Sequence, residues 1–283
     1  MARSASRSCA LGRAALVAWA FVTIVVVGPQ FKPLSGQEPR ESLGALLDGA
    51  GFAKIPAGEF LMGSTGGTAS EQPVHRVRVS RGFEIGKFEV TQAQWEAVMA
   101  TAHPSTVPEK GAKPAPTSEL NPSHFKGPTL PVESVSWADA QRFLTKLNAR
   151  DTKYVYRLPT EAEWEYVAQA GRTHDAVADL EVGWFESNSD AQTHPIGQKR
   201  PNAWGLYDTQ GNVSEWVDDW FALDYYEESP AADPPGPPSG SYRVYRGCSW
   251  LHAASDCRSA TRLFNFPNDG YYNVGFRLVR TER

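Results

Sequence analysis

Residues 205–216, reading GLYDTQGNVSEW, place Asp208 and Glu215 on either side of a tight turn at Gln210, Gly211 and Asn212. A hard cation such as Ca²⁺ takes about six to eight oxygens from carboxylates, main-chain carbonyls and water. This stretch offers two carboxylates and, between them, carbonyls that a turn can direct inward. The spacing is not that of the twelve-residue EF-hand loop. Two carboxylates facing one turn repel each other unless a cation lies between them, so the first reading is a calcium turn. In the bland alternative Glu215 bonds loop amides while Trp204, Tyr207 and Trp216 pack the core. The sequon Asn212-Val213-Ser214 lies inside the turn, where a glycan has no room.

A second group of reactive side chains follows. Cys248, Ser249, His252 and Cys257 fall within ten residues. In an exported protein the plain reading of two cysteines at this spacing is a disulfide, structural or redox-active. They can equally be unpaired thiols, since free cysteine behaves as a small hydrophobe. The other histidines (His75, His103, His124, His174 and His194) lack metal-ligand spacing. Hydrolase elbows, phosphate loops and dinucleotide fingerprints are absent from the sequence. Arg258, Arg262 and Arg277 are expected in the strands that close the domain, paired with acids at the core edge.

The chain that must position these groups has 283 residues and a formal charge of -4, which argues against a general nucleic-acid binder. Hydrophobic residues make up 41%, enough for one sizeable core, and 24 Gly, 21 Pro and nine Trp point to turns and aromatic anchors over long helices. Residues 1–36 read as a signal peptide or N-terminal anchor, with Arg3, Arg7 and Arg13 ahead of an apolar run at 14–28. That run is shorter than the roughly 20 residues a spanning helix needs. The expected location is exported, periplasmic or secreted, with membrane contact only through this segment if it stays uncleaved. Cys9 precedes the run, where a lipoprotein cysteine does not fall.

Residues 37–51 read as a linker with a short helical tendency at 43–47, and residues 52–281 as one domain. It opens with strand-like stretches at 52–63 and 74–86, the second alternating Val74, Arg76 and Arg78 with His75, Val77 and Val79. Three helix starts follow. Thr91 with Gln94 makes a capping box, with Val90 and Trp95 as a hydrophobic staple. Ser136 caps a helix that carries Trp137, Ala140, Phe143, Leu144 and Leu147 on one face. Thr160 with Glu163 caps a third, and Gly171 stops it. Residues 102–128 and the proline-rich 230–239 read as irregular loops. The pattern is a single α+β domain with much irregular structure.

Several of these segments together resemble the formylglycine-generating enzyme family, the sulfatase-modifying factors. The resemblance runs through residues 52–64 (FAKIPAGEFLMGS), 71–95, 121–127 (NPSHFKG), 130–148, 156–171 (YRLPTEAEWEYVAQAG), 205–216, 243–250 (RVYRGCSW), 258–262 (RSATR) and 273–279 (NVGFRLV). It implies a C-type-lectin-like variant of the α+β class. It implies calcium held by Asp208, by the carbonyls of Gly211 and Val213, and by Glu215. The family's other calcium site is not reproduced at residues 184–190 (WFESNSD).

Active family members hold Cu(I) through two cysteines five residues apart, shortly after a Gly-Gly-Ser segment, and use O₂ to oxidise a substrate cysteine in a sulfatase. Here that segment is Gly247-Cys248-Ser249, and His252 stands at the first copper position, so the resemblance makes Cys248, Ser249, His252 and Cys257 the candidate catalytic set. Cys257 matches the second only if no gap is opened. Aligning 258–262 with the family's arginine-rich strand opens a gap of about three residues, and Cys257 then matches neither ligand. A mixed His252–Cys257 site is a third reading of this loop, because copper accepts nitrogen and sulfur together. The family's pocket tryptophan is Ser214 here. Two functions therefore stand: a formylglycine-generating-type oxidase acting on an exported sulfatase or other protein, or a non-catalytic, calcium-stabilised module that binds a peptide, protein or glycan. Ergothioneine-type chemistry would need iron-binding histidines from a helical domain that the sequence lacks.

Overall fold

The computed structural model describes residues 51–100, 120–172 and 178–283. The N-terminal segment 1–36, the helical tendency at 43–47 and most of the loop 102–128 lie outside the described residues. Strands β1 (Phe52–Ile55), β2 (Gly58–Met62), β3 (His75–Val79) and β4 (Phe83–Gly86) fall within the two stretches whose alternation reads as strand. Val77 and Val79 point inward while Arg76 and Arg78 face solvent, as a period of two requires.

Helices α1 (Gln92–Met99), α2 (Trp137–Asn148) and α3 (Glu161–Gln169) each start at the residue whose side chain caps them. Thr91 Oγ1 accepts from Gln94 N at 3.2 Å and Gln94 Oε1 accepts from Thr91 N at 2.9 Å. Ser136 exchanges the same pair of bonds with Asp139, and Thr160 with Glu163. Each box satisfies two amides that the first helical turn leaves without partners. The third helix ends one residue before the expected glycine: Ala170 takes the left-handed conformation at φ 46°, and Gly171 follows at φ 76°.

Among the described residues ten strands form three sheets. The first has the order β1-β4-β10-β5, with β5 at Tyr154–Arg157 and β10 at Val279–Glu282, and every pairing is antiparallel. The second is the β2-β3 hairpin. The third runs β8-β7-β6-β9, where β6 is Ser214–Trp220, β7 Arg243–Arg246, β8 Leu263–Asn265 and β9 Val274–Gly275. β6 is buried on both faces over Ser214, Glu215, Trp216 and Val217. Trp216 enters the main core with Trp95, Phe143, Leu147 and Phe276, and Val217 joins Trp164 and Val244 on the other side.

Trp95 and Phe143 stack with centroids 5.5 Å apart, and Phe276 meets the edge of both. Val90 and Trp95, the staple of α1, are both in this cluster. A helix of eight residues is too short to hold by propensity, so burial of this face fixes it. β6 thus leaves the turn at 208–212 with its first residues clamped between two apolar layers.

Candidate functional site: a buried acid turn beside a closed cysteine pair

Asp208 (φ 53°), Gly211 (φ 87°) and Asn212 (φ 56°) bend the chain tightly before β6. Gly247 (φ 93°) and Cys248 (φ 57°) do the same after β7. The two bends lie back to back, with Gly211 N donating to Gly247 O at 2.8 Å. Only glycine fits at 211, because a Cβ there would lie 2.4 Å from the carbonyl oxygen of Trp184. Asn212 is fully buried. Its Oδ1 accepts from His194 N at 3.0 Å, and its Nδ2 donates to Glu89 Oε2 at 2.8 Å and to His194 O at 3.2 Å. The sequon asparagine is committed to the fold.

Glu215 is held by a guanidinium. Arg277 donates from Nε to Oε2 and from Nη2 to Oε1, both at 2.5 Å, and the Trp164 indole adds a bond to Oε2 at 2.8 Å. Arg277 also donates to the carbonyls of Gly86 and Tyr207, each at 3.1 Å, so it ties β4, the turn and β6 together. Neither side chain of this pair is exposed.

Asp208 differs. Its Oδ2 accepts from Gly197 N at 2.7 Å, while its Oδ1 is buried without a partner. Burial pushes its carboxyl up to about 6, and the charge of Glu215 adds to the shift. A third acid, Glu89, stands in the same interior and accepts from Asn212 and from Val213 N at 3.1 Å. Burial raises its carboxyl well above the usual range, followed by the charges of Asp208 and Glu215. Glu89 carries no signal in the sequence that separates it from a surface acid ahead of a helix.

The candidate catalytic residues lie on the adjoining loop. Cys248 and Cys257 form a disulfide with Cα atoms 5.7 Å apart, packed against Phe185, Ala178 and Ala254. Joined to each other, the sulfurs provide neither the two-thiolate copper site nor the mixed His252–Cys257 site. His252 Nδ1 accepts from Ser249 N at 3.1 Å and lies 2.8 Å from Ser249 Oγ. Burial lowers the imidazole's pKa, which keeps the ring neutral. Ser249 is itself fully buried, and its Oγ accepts from Asn273 Nδ2 at 3.1 Å.

Of the sequence candidates, then, Asp208, Gly211, Val213 and Glu215 share one interior, and Cys248, Ser249, His252 and Cys257 share the loop beside it. The three arginines do pair with acids: Arg258 with Glu71, Arg262 with Glu161, and Arg277 with Glu215. None of them lies within a strand, contrary to expectation, because each guanidinium reaches its acid from the segments between β7, β8, β9 and β10.

The pattern of the sulfatase-modifying factor enzyme 1-like domain matches residues 45–282. The chain belongs to this family. It is 35% identical to a formylglycine-generating enzyme of Streptomyces coelicolor, over 81% of this chain and 88% of that one. It is also 31% identical to the serine/threonine-protein kinase Pkn1 of Chlamydia trachomatis, but spans only 37% of that protein's length. Among solved structures, Treponema denticola variable protein 1 superposes with a TM-score of 0.68 at 31% identity, covering 81% of this chain and 94% of that one. The mixed α+β fold expected of a sulfatase-modifying factor is the fold observed.

The family implies calcium and copper, and the side chains fit them differently. Three buried acids face one guanidinium, and Asp208 Oδ1 is an oxygen left open for a hard cation. Glu215 does not fit, because Arg277 and Trp164 occupy both of its oxygens. Copper does not fit, because no thiolate pair is present at 248–257.

The raised carboxyl of Asp208 gives a pH dependence. Its folded pKa lies above the unfolded value of about 3.9, so the folded state holds the extra proton and stability falls as pH rises between them. In chelated protein, wild type should lose about 2–3 kcal/mol relative to Asp208→Asn between about pH 4 and pH 6, then run parallel to it. Urea unfolding of both proteins across that range measures this. Parallel curves throughout would show that Asp208 is ionised in the fold.

Proposed function

We propose that this protein is an exported, non-catalytic member of the sulfatase-modifying factor family that binds a protein or peptide. One observation carries the reading: both sulfurs at 248–257 are used in a bond to each other. Cu(I) is held by soft thiolates, and a buried disulfide offers none. His252, at the family's first copper position, has its Nδ1 engaged by Ser249. Export rests on the charged and apolar pattern of residues 1–36. Among the described residues no helix is long and apolar enough to cross a membrane.

The surface best suited to a partner lies over the same loop. Leu251, Tyr271 and Tyr272 are each about two-fifths exposed, at 45%, 38% and 43%. Beneath them Trp250 packs on Phe125 and Tyr272. Exposed aromatic and aliphatic groups on a rigid base suit an extended polypeptide, such as a segment of a sulfatase or of another exported protein.

Calcium belongs to this reading as a structural ion at the turn. Asp208 would hold it with the carbonyls of Gly211 and Val213, and Glu89 would add a further charge close by. The ion would supply neutralisation of buried carboxylates that one arginine leaves uncompensated. A cation that binds only the folded state stabilises it by about 2.7 kcal/mol at a hundredfold excess over Kd. Chelation should therefore lower the melting temperature of wild type and leave Asp208→Ala unmoved. Unchanged wild-type melting, after stripping of bound metal is verified, would remove calcium from the account.

The second reading is the family's oxidation of a sulfatase cysteine to formylglycine, which the 35% identity to a formylglycine-generating enzyme favours. The two separate in one assay. The purified protein is incubated with a sulfatase-type cysteine peptide, Cu(I) and O₂, and the aldehyde product is sought by mass spectrometry. No turnover is expected. Turnover that disappears in Cys257→Ser would overturn the binding reading and make Cys257 a copper ligand.

A further inference from the structure

The disulfide joins the two ends of a loop that is otherwise tied down at its start, where Trp250 N donates to Asn212 O at 2.9 Å and Ser249 Oγ accepts from Asn273 Nδ2 at 3.1 Å, while residues 251–256 are half-buried or exposed. Cys248 and Cys257 enclose Trp250, Leu251, His252 and a single 3-10 turn at Ala254–Asp256. The apolar cluster around the sulfurs contains, besides them, only Phe185 with Ala178 and Ala254 at its margin. This loop in turn is one of the anchors of the segment 178–189, beside Asn212 N, which donates to Trp184 O at 2.9 Å, and Arg200 N, which donates to Glu181 O at 3.0 Å. Ala178 N donates to Cys257 O at 2.9 Å, Glu186 N to His252 O at 3.0 Å, and Ser189 Oγ to Trp250 O at 3.1 Å.

The remaining architecture is fastened elsewhere. Arg246 reaches Glu165 and the carbonyls of Ser259, Ala260 and Thr261, so the chain just beyond Cys257 is held independently of the sulfurs. Arg258 pairs with Glu71, and Arg262 with Glu161. The main core has no member in either segment.

We propose that Cys248–Cys257 is a redox latch: its reduction frees residues 178–189 and 249–257 to open together, while the sheets and α1–α3 keep their packing. A unit with few buried apolar contacts, held by backbone hydrogen bonds, opens at lower cost than a core. The bond restrains that opening by shortening the loop available to the open state. Cys248 adds a second bias, because its backbone sits at φ 57°, where a residue with a Cβ pays a steric cost it can shed once the bond is cut.

The reductant is a dithiol. One of its thiolates attacks either protein sulfur, forms a mixed disulfide and releases the other sulfur as a thiolate. The reductant's second thiol then closes its own disulfide and releases the remaining cysteine. Two electrons and two protons pass from the dithiol, which is oxidised, to Cys248 and Cys257, which end as thiols. Both cysteines are 1% exposed, so attack follows a transient opening of the same unit, which makes latch and opening mutually dependent. Leu251 and His252 ride on this loop. Redox control of partner binding rests on the proposed function, whereas the opening itself does not.

Hydrogen exchange read by mass spectrometry tests the latch on the full chain in three states: oxidised, treated with dithiothreitol, and as the double variant Cys248→Ser/Cys257→Ser. Reduction is verified in each sample by alkylation. Exchange in peptides covering 178–189 and 249–257 should rise at least tenfold in the reduced and variant proteins. Peptides covering 92–99, 137–148 and 161–169 should be unchanged. Equal exchange in all three states would overturn the latch, as would acceleration everywhere. Failure of the variant to fold, with global acceleration in reduced wild type, would show the bond to be a requirement of the whole fold.

Discussion

The guanidinium of Arg277 is the point on which the rest of this molecule turns. It lies wholly out of water, bridges both oxygens of Glu215, and donates to carbonyls at the end of β4 and in the approach to the turn. A buried ion pair is a poor source of net stability, since desolvating two charges offsets most of their attraction. Its value is positional. Removing one partner costs about 3–5 kcal/mol by leaving a naked charge, so alternative arrangements of these three segments are strongly disfavoured. Because β6 begins at this pair, the register of the third sheet against the first is set here.

A second buried centre does the same for the N-terminal hairpin. Arg246 and Arg262 face Glu161 and Glu165 on α3, and Glu165 also accepts from Gly63 N at 2.9 Å. Arg262 reaches Ser70 O at 2.6 Å. Segments nearly 200 residues apart thus meet at α3. In a domain with so few regular elements, such polar joints replace the long helix and sheet interfaces that would otherwise define the packing. None of these joints involves Cys248, Ser249 or His252.

Much of this was legible in the residues. Three caps could be read because each is a local pair, three residues apart, whose side chains satisfy the same two amides wherever it occurs. Alternation at 75–79 exposed the inward valines for the same local reason. The acid turn could be located but not resolved. Glu215 beside a glycine turn looks like a cation ligand, and nothing nearby announces an arginine 62 positions later that takes both oxygens. Glu89 was hidden because a lone glutamate before a cap ordinarily faces water; here the fold turns it inward onto Asn212 and Val213. The fate of the cysteines stayed open among three readings, since their meeting depends on Phe185 and Ala178 filling the space between distant loops. The Ser249–His252 contact spans only three residues, yet no sequence pattern pointed to it.

The fold is that of the family, and in this chain the loop at 248–257 has its two sulfurs bonded to each other. The central claim is that the folded protein carries Cys248 and Cys257 bonded to each other and has no thiolate pair for copper. Peptide mapping under non-reducing conditions, after alkylation of the folded protein and beside a Cu(I) titration, tests it most directly. The predicted result is a single linked peptide pair joining Cys248 to Cys257, with no Cu(I) retained. Alkylation of both cysteines in the native protein, together with one tightly held Cu(I), would contradict it.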